Sequence, residues 1–330
     1  MVKTTDFRLH RGPIPEPGPG QFLVKTMYLS LAPVMRMYML DGAGFEKPLA
    51  LGDVMRGRGV GRVIESNHED FAVGDIVSGK LGWQEYALSD GSPYYMMYKV
   101  HQRVAPFSTA IGVLGVTGFT SYLGLVDIGK AKAGDAVLVT GAAGGVGSNV
   151  GQIARNLNCS PIVGLAGSDD KCRMLTETLG YHSAINYKTD NIDQRIGELF
   201  PGGIDVIFDN VAGPILDCAL KHIKRHARVV GCGRISEYLQ HSDERYAMRN
   251  FFMLGERCAR FQGFFIYEME DQFQRAEAML ARWIAQGKLS YAEDVMEGFE
   301  TMPRALIRLY QGDNRGKQLV RVDPDAENYR

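Results

Sequence analysis

A glycine-rich turn at residues 141–147 has the spacing of a phosphate-binding site. The turn, Gly141-Ala142-Ala143-Gly144-Gly145-Val146-Gly147, follows the β-branched apolar run Val137-Leu138-Val139-Thr140. Glycines at 144 and 147 let the backbone approach a pyrophosphate, and the free N–H groups of a helix start face the anion. Ala142 replaces the first glycine of the G-x-G-x-x-G pattern, and such turns also occur for packing reasons, so the motif alone leaves both interpretations open.

The residues after the turn have the periodicity of an amphipathic helix. Apolar residues recur at i, i+4, i+7, i+8 and i+11, which places them on one helix face. They are Val146, Val150, Ile153, Ala154 and Leu157. The following run, Pro161-Ile162-Val163-Gly164-Leu165-Ala166, is typical of a second buried strand. Strand, helix and strand form a βαβ crossover, which favours dinucleotide binding over a packing role.

The end of this second strand favours NADP(H) over NAD(H). An NAD site places an acidic residue there for the ribose hydroxyls, whereas a 2′-phosphate needs small polar residues and a cation. The chain has Gly167 and Ser168 at that place, and Lys171 follows as the candidate phosphate partner. Asp169 and Asp170 fit the first turn of a helix. Alternatively, one of these acids reaches the ribose and reverses the preference.

Composition points to a small-molecule partner. The 330 residues carry 37 Lys and Arg against 38 Asp and Glu, so no general attraction to nucleic acid or to a membrane surface is expected. No run approaches the roughly 20 apolar residues that span a bilayer, and the first residues have no signal-peptide core, so we expect a cytoplasmic protein. Five scattered cysteines, without a C-x-x-C pair, favour neither disulfides nor a zinc lobe.

Two kinds of sequence pattern alternate along the chain. Short apolar runs broken by Gly and Pro extend to about Pro106, and strands alternate with amphipathic helices from about Thr109 to about Ala285. The later strands of this central part are predicted at 204–209 and 228–233, and a final strand at 317–322. The fold class is therefore α/β, with a doubly wound parallel sheet beside a β-rich domain. We expect residues 109–285 to form the nucleotide-binding domain, and residues 1–108 with 286–330 to form the second domain.

Several motifs, in order over nearly the whole chain, resemble the medium-chain dehydrogenase/reductase superfamily. More narrowly, the chain is similar to the zinc-independent branch of prostaglandin (leukotriene B4 12-hydroxydehydrogenase), alkenal double-bond and curcumin reductases. The matching segments are residues 29–36, 52–57, 141–148, 166–172, 208–211, 232–238, 262–264 and 312–317. The resemblance implies a Rossmann domain for NADP(H) and a GroES-like domain built from both terminal parts.

The resemblance also implies roles for the matched positions. By this resemblance, Gly144, Gly145, Val146 and Gly147 bind the pyrophosphate, and Lys171 and Tyr187 bind the 2′-phosphate. The path to the nicotinamide is lined by Asn210, by residues 232–238 with Cys232, Gly233, Ser236 and Tyr238, by the segment Phe264, Phe265 and Ile266, and by Asn314. Tyr187 and Phe264 could instead be ordinary core or surface aromatics, and Asn314 a turn residue.

The N-terminal region lacks the ligands of a zinc alcohol dehydrogenase. Residues 1–105 contain no cysteine, and His10, His68 and His101 are scattered, so we expect no metal. An activated C=C bond accepts hydride without a Lewis acid, because hydrogen-bond donors can stabilise the resulting enolate. We therefore expect NADPH-dependent reduction of α,β-unsaturated aldehydes or ketones. Tyr238 is the first candidate donor, and Tyr38, close to Arg36, is the second.

Two other functions stay open at this point. A quinone reductase shares the zinc-free fold, and a nonenzymatic NADPH-binding protein would keep the nucleotide site with an occluded pocket. Relatives are commonly dimeric, so a homodimer is expected.

Two departures from the family pattern concern the terminal domain. Val34 replaces an aromatic residue near the expected pocket, and the family usually begins with one more strand and turn, which predicts an exposed sheet edge.

Overall fold

The computed structural model describes residues 2–40, 47–100, 104–238 and 245–329. The chain divides into two compact units. The terminal unit comprises Met1–Gly112 and Glu293–Arg330, and the central unit comprises Val113–Ala292. The domain limits expected from the sequence, after residues 108 and 285, stay a prediction.

The strands and helices follow one another along both units. The strands are β1 Phe22–Ser30, β2 Gly59–Ser66, β3 Ile76–Gly79, β4 Tyr86–Ser89, β5 Tyr98–Lys99, β6 Val137–Val139, β7 Ile162–Ala166, β8 Ser183–Asn186, β9 Ile204–Asp209, β10 Ile223–Gly231, β11 Arg260–Gly263, β12 Glu293–Glu297 and β13 Lys317–Arg321. The α-helices are α1 Val116–Leu123, α2 Gly145–Asn156, α3 Asp169–Arg173, α4 Ile192–Leu199, α5 Gly213–Leu220, α6 Met253–Glu256, α7 Phe273–Ala285 and α8 Met302–Gln311. None of the helices in the described ranges is long and apolar enough to cross a membrane.

The terminal unit is built on a mostly antiparallel sheet. Its strands run in the order β12-β13-β1-β2-β3-β5, and β4 also pairs with β1. Among the described strands of this sheet, β12 and β13 alone pair in parallel. One face of the sheet packs under α8, whose apolar residues Met302, Ala305 and Leu306 are buried against strand residues such as Phe22 and Val320. Hydrophobic burial on one face is what an antiparallel sheet of this kind needs.

The central unit contains a fully parallel sheet. Its order is β11-β10-β9-β6-β7-β8, and every described strand pair in it is parallel. Residues of β6 and β7, among them Val137, Leu138 and Val163, are 0% exposed because helices cover both faces. The chain runs outward from β6 through β7 to β8, and later from β9 through β10 to β11. The strand order therefore reverses between β6 and β9, which is where open α/β sheets bind ligands.

The structure confirms the α/β fold class, and the expected strands lie within a few residues of the observed ones. The main difference concerns β10, which begins at Ile223 and ends at Gly231 rather than spanning 228–233. The strand ends early because the backbone carbonyl of Asp209 accepts hydrogen bonds from both Cys232 and Gly233, at 2.8 and 3.1 Å. These two residues therefore leave the sheet and enter the loop at its carboxyl edge.

Candidate functional site

The carboxyl edge of the parallel sheet gathers most of the residues expected to bind the cofactor. Because all six strands point the same way, the segment after each one emerges at the same edge. These segments are the glycine turn after β6, residues 167–171 after β7, Tyr187 after β8, Asn210 after β9, residues 232–238 after β10 and residues 264–266 after β11. Tyr38 and Asn314 belong to the terminal unit.

The glycines at the start of α2 differ in what they touch. A Cβ at Gly147 would lie 2.5 Å from the Cα of Ala142, and one at Gly151 would lie 2.1 Å from the ring of Tyr181. Packing alone explains why both positions lack a side chain. A Cβ at Gly144 would meet only the carbonyl oxygen of Gly141, at 3.3 Å. Internal packing restricts Gly144 much less than Gly147 or Gly151, so the backbone of Gly144 is open to close approach by a ligand.

Gly144 is also the residue at which α2 begins. It is the N-cap of the helix, with extended backbone angles. The first N–H groups of an α-helix have no partner within the helix, and they carry the positive end of its dipole. The turn can therefore hold an anionic group close to the backbone of residues 144–147.

The segment after β7 combines small residues, a hydroxyl group and a cation. The backbone N–H of Lys171 donates to Oγ of Ser168 at 3.3 Å, so Ser168 caps α3. A Cβ at Gly167 would lie 2.6 Å from the hydroxyl oxygen of Tyr187, so glycine is what allows this phenol to approach. The structure thus brings Lys171 and Tyr187, which are expected to hold a 2′-phosphate, to the same end of β7.

The acidic residues of this segment are already engaged. The carboxylate of Asp169 accepts a 2.7 Å hydrogen bond from the side-chain amide of Asn186. The carboxylate of Asp170 forms an ion pair with Arg173 on the same helix. Both contacts direct the acids to neighbouring protein groups, which disfavours the alternative in which one of them binds the ribose.

A buried hydrogen-bond network joins β6 to β9 at the point where the strand order reverses. The hydroxyl of Thr140 donates to the carboxylate of Asp209 at 2.6 Å and accepts from the backbone N–H of Asn210 at 2.8 Å. The Asn210 side-chain amide donates to the Thr140 carbonyl, also at 2.8 Å. Asn210 is therefore fixed beside the glycine turn. Our sequence reasoning missed Thr140 and Asp209, although a polar residue at the end of each adjacent strand was a usable signal.

The segment after β10 is tied to the segment after β9. Oγ of Ser236 donates to the carbonyl of Val211 at 2.6 Å. Tyr238 follows a short 3₁₀ turn at Ile235–Glu237 and is partly buried. Burial raises the pKa of the Tyr238 phenol, so it is a neutral hydrogen-bond donor at pH 7. Burial likewise raises the pKa of the Cys232 thiol to about 12, so this cysteine is not a thiolate nucleophile at neutral pH.

The aromatic residues after β11 have different surroundings. The ring of Phe264 comes within 2.8 Å of where a Cβ of Gly124 would be, so this ring packs closely on the backbone of the central unit. The Phe265 side chain is 37% exposed and contacts Tyr267 edge-on, with ring centroids 5.2 Å apart. Ile266 is buried. Phe264 and Ile266 therefore have packing roles that are compatible with backbone contacts to a ligand.

The two site candidates of the terminal unit lie in tight turns. Tyr38 is part of the 3₁₀ helix Pro33–Met39, and the guanidinium of Arg56 lies 5.5 Å from the centre of its ring. Asn314 is buried, and its side-chain amide donates to the carbonyl of Gly316 at 2.8 Å. That bond gives Asn314 a structural role within its own turn. Its expected role at the nicotinamide stays a prediction.

Metal ligands do not cluster in the described part of the chain. Within residues 2–40, 47–100, 104–238 and 245–329, no group of three or more His, Cys, Asp or Glu side chains could hold a metal ion. Of the three N-terminal histidines considered above, His101 lies outside the described residues. His68 accepts a hydrogen bond from the backbone N–H of Asp70, as a loop histidine does.

A parallel sheet with a glycine turn at its switch point, in a chain that also contains a mostly antiparallel unit, is typical of nucleotide-dependent oxidoreductases of the medium-chain type. Comparison with known proteins agrees with this class. A family model described as the N-terminal domain of oxidoreductase matches residues 1–97, and one described as zinc-binding dehydrogenase matches residues 145–282.

Individual relatives narrow the class to one family. The chain is 42% identical to the putative NADP-dependent oxidoreductase YfmJ of Bacillus subtilis, covering 97% of this chain and 94% of that protein. It is 38% identical to the NADPH-dependent curcumin reductase of Escherichia coli, covering 97% and 93%. The crystal structure of CurA from Vibrio vulnificus in complex with NADPH superposes with a TM-score of 0.89, at 36% identity, over 96% of this chain and 94% of CurA. The chain belongs to the medium-chain dehydrogenase/reductase family, in the branch of prostaglandin, alkenal and curcumin reductases.

Proposed function

We propose that this protein uses NADPH to reduce the C=C bond of α,β-unsaturated aldehydes or ketones. Family membership supports the reaction class, since the relatives include an NADPH-dependent curcumin reductase and an NADP-dependent 2-alkenal reductase. The observation that carries the proposal is the carboxyl edge of the parallel sheet. The glycine turn at the start of α2, Lys171 and the protonated phenol of Tyr238 all follow strands that end at this edge, which supports the binding of a phosphorylated cofactor there.

The residues present fit NADPH. The backbone of Gly144, Gly145, Val146 and Gly147 would hold the pyrophosphate, because the N–H groups at the start of α2 have no partner within the helix and Gly144 carries no side chain to keep a ligand away. Lys171 would pair with the 2′-phosphate and Tyr187 would lie beside it. Asn210, Cys232, Gly233, Ser236, Phe264, Phe265, Ile266 and Asn314 would line the way to the nicotinamide.

The bound cofactor supplies the hydride that adds to the β-carbon of the substrate. The contribution of the protein is to orient the substrate, exclude water and donate a hydrogen bond to the carbonyl oxygen as negative charge develops there. Tyr238 is the donor we favour, because its pKa is raised and the hydroxyl keeps its proton at neutral pH. The α-carbon then takes a proton from water or from this phenol. Tyr38 is the second candidate.

The test is a comparison of acceptors. Purified protein is mixed with NADPH and a short 2-alkenal, with NADPH and a quinone, or with NADPH alone, while the absorbance of the reduced nicotinamide is followed. We expect fast oxidation with the alkenal and a saturated aldehyde as product. Faster turnover of the quinone would make the protein a quinone reductase, and tight NADPH binding without turnover of either acceptor would make it a binding protein.

We further propose a cytoplasmic homodimer. All five cysteines are free thiols, which supports a reducing compartment. The strand β11 ends the parallel sheet, and Phe251, Phe252 and Phe261 near it are 51%, 61% and 40% exposed. An edge strand with exposed aromatic side chains supports pairing with a second copy. Light scattering of the eluted protein measures the mass, and a monomer at micromolar concentration would contradict the proposal.

A further inference from the structure

Asp209 is a buried carboxylate that the proposed chemistry does not use. Its side chain is at the end of β9 and the residue is 1% exposed. Besides the Thr140 hydroxyl, it accepts hydrogen bonds from the backbone N–H groups of Val211 at 3.2 Å and Ala212 at 2.9 Å. A buried carboxylate needs such partners, because an unsatisfied charge would be strongly destabilising.

The backbone held by this carboxylate has an unfavourable conformation. Ala212 has a φ of 61°, which side-chain-bearing residues rarely adopt, and Gly213 follows with a φ of 62°. Strained backbone of this kind persists only when its surroundings hold it in place. The two N–H bonds to Asp209 supply that restraint directly before α5. The carbonyl of Val211, in the same stretch, accepts the bond from Ser236.

We propose that Asp209 is a positioning residue, and that its ionised carboxylate holds residues 210–212 and, through them, the Ser236–Tyr238 segment in the arrangement that binds NADP(H). Protonation would remove the negative charge that strengthens the hydrogen bonds from Thr140, Val211 and Ala212. The restraint on the strained backbone of residues 211–212 would then weaken, and the loop could rearrange. The inference rests on the proposed binding of NADP(H) at this edge.

The surroundings of Asp209 place its titration in an accessible pH range. Burial raises the pKa of Asp209 to about 6, the bonds from Thr140, Val211 and Ala212 act in the opposite direction, and the negative charge of Glu237 adds to the rise. The elements packed against it contribute Thr140 after β6, Cys232 after β10, and Glu237 with its ion-pair partner Arg234 on the following 3₁₀ turn. Cofactor affinity should therefore be full above pH 7 and fall as the pH drops through 6.

The experiment is a calorimetric titration of the full chain with NADP⁺ between pH 5 and pH 8. If only the ionised form binds, the apparent Kd at pH 5 should be weaker about tenfold, because roughly one protein in ten keeps the carboxylate ionised. The 2′-phosphate also ionises near pH 6, as phosphate monoesters do. The same series with NAD⁺, which lacks that group, separates the two effects.

Four variants distinguish a positioning role from a general structural one. The loss of NAD⁺ affinity as the pH falls through 6 is the acidic limb of the titration. Asp209→Asn should abolish this acidic limb. The Thr140 hydroxyl lowers the pKa of Asp209, so its removal in Thr140→Val should move the acidic limb to higher pH. Thr140→Ser keeps a hydroxyl and should return the limb to its original pH. Asp205→Asn is the matched control. Asp205 lies at the opposite end of β9, where its carboxylate accepts from the Ala136 N–H at 2.9 Å, and this variant should leave the limb in place.

An acidic limb that persists unchanged in Asp209→Asn, or that does not move between Thr140→Ser and Thr140→Val, overturns the inference. If Asp209→Asn does not fold, the two Thr140 variants decide. Hydrogen exchange of the Val211 and Ala212 amides in the cofactor-free protein provides an independent measurement. Their protection, corrected for intrinsic exchange, should fall below pH 6. If NADP⁺ fails to bind at any pH while this protection titrates, the proposed function is wrong and the role of Asp209 in holding the loop stands.

Discussion

The side-chain amide of Asn186 donates a 2.7 Å hydrogen bond to the carboxylate of Asp169. Asn186 ends β8 and is buried, whereas Asp169 begins α3, so the bond connects the end of one parallel strand to the segment that follows its neighbour β7. It commits an acid that would otherwise be available to a ribose hydroxyl. Lys171, on the same helix, has the positive charge that suits a phosphate ester.

Replacing this lysine should change the affinity for one cofactor only. We expect Lys171→Ala to weaken NADPH binding by about 1.5–3 kcal/mol, because a charge-assisted bond to the 2′-phosphate is lost. NADH binding should stay the same. Fluorescence titration with both cofactors measures the difference, and Arg173→Ala, on the same helix, is the control because Arg173 pairs with Asp170. Equal losses for NADPH and NADH would remove Lys171 from the phosphate site.

Gly151 within α2 and its N-cap Gly144 should respond differently to substitution by alanine. At Gly151 the new methyl group would overlap the ring of the buried Tyr181, whose hydroxyl donates to the Gly147 carbonyl at 2.6 Å. Overpacking of this kind costs about 1–3 kcal/mol, which exceeds the roughly 0.5–1 kcal/mol gained by replacing a glycine inside a helix. Chemical denaturation should therefore show a less stable Gly151→Ala protein.

At Gly144 the same substitution should affect binding rather than stability. The methyl group would meet only the Gly141 carbonyl, so the free energy of unfolding should change by less than about 1 kcal/mol. NADPH affinity should fall about tenfold or more, since the methyl group would occupy the position of the pyrophosphate. Unchanged affinity in Gly144→Ala would mean that the cofactor does not approach the backbone here.

Metal removal should leave the protein unaffected. Residues 1–105 lack cysteine, and the described part of the chain brings no three candidate ligands together. Exhaustive dialysis against a chelator should therefore change neither alkenal reduction nor thermal stability. Elemental analysis of the untreated protein completes the test. Stoichiometric zinc whose removal abolishes activity would contradict this expectation.

A buried lysine should give the terminal unit a distinct pH dependence. Nζ of Lys317 donates to the Leu31 carbonyl at 2.6 Å, and burial lowers the pKa of Lys317 to about 8, although Glu293 opposes the effect. An unfolded lysine titrates near pH 10.4, so between these values the unfolded chain binds more protons, and this residue makes stability rise with pH. Below pH 8 both states are protonated and its contribution is constant.

The slope of unfolding free energy against pH, measured from pH 8 to 10 by urea denaturation, tests this assignment. Lys317→Met should lower that slope relative to the unmodified protein, whatever its constant effect on stability. Lys25→Met is the control, because an ion pair with Asp323 raises the pKa of Lys25 and moves its titration out of the window. Identical slopes for the unmodified protein and Lys317→Met would show that Lys317 titrates as an ordinary lysine.

Sequence patterns predicted the elements of the central unit well and its side-chain partners poorly. The predicted limits of β9, residues 204–209, match the observed strand, whose apolar residues Val206, Ile207 and Phe208 are typical of a strand buried on both faces. The bonds between Thr140 and Asp209, 69 residues apart, and between Asn186 and Asp169 depend on which strands become neighbours. Likewise, Gly151 matched no motif, because the ring of Tyr181 that excludes a side chain there comes from another part of the chain.

The hydroxyl of Tyr238 is the proposed hydrogen-bond donor to the substrate. If its hydroxyl donates to the developing enolate, Tyr238→Phe should slow hydride transfer and leave NADPH affinity nearly intact, because the bond strengthens only in the transition state. A preorganised donor of this kind contributes roughly 2.7–4 kcal/mol in other enzymes. A cofactor ribose hydroxyl that shares the same oxygen would make the loss smaller.

Single-turnover kinetics with a 2-alkenal separate this role from packing. Phenylalanine would be buried in the same way as the phenol of Tyr238, whose pKa is raised by burial. If the ring only packs against the nicotinamide, the rate of hydride transfer in Tyr238→Phe should therefore be unchanged. Tyr38→Phe, measured in parallel, tests the second candidate donor in its 3₁₀ turn. A reduced rate in Tyr238→Phe alone assigns the donor to Tyr238. A reduced rate in Tyr38→Phe alone transfers the role to the terminal unit, and unchanged rates in both leave water as the proton source and a cofactor hydroxyl as the donor.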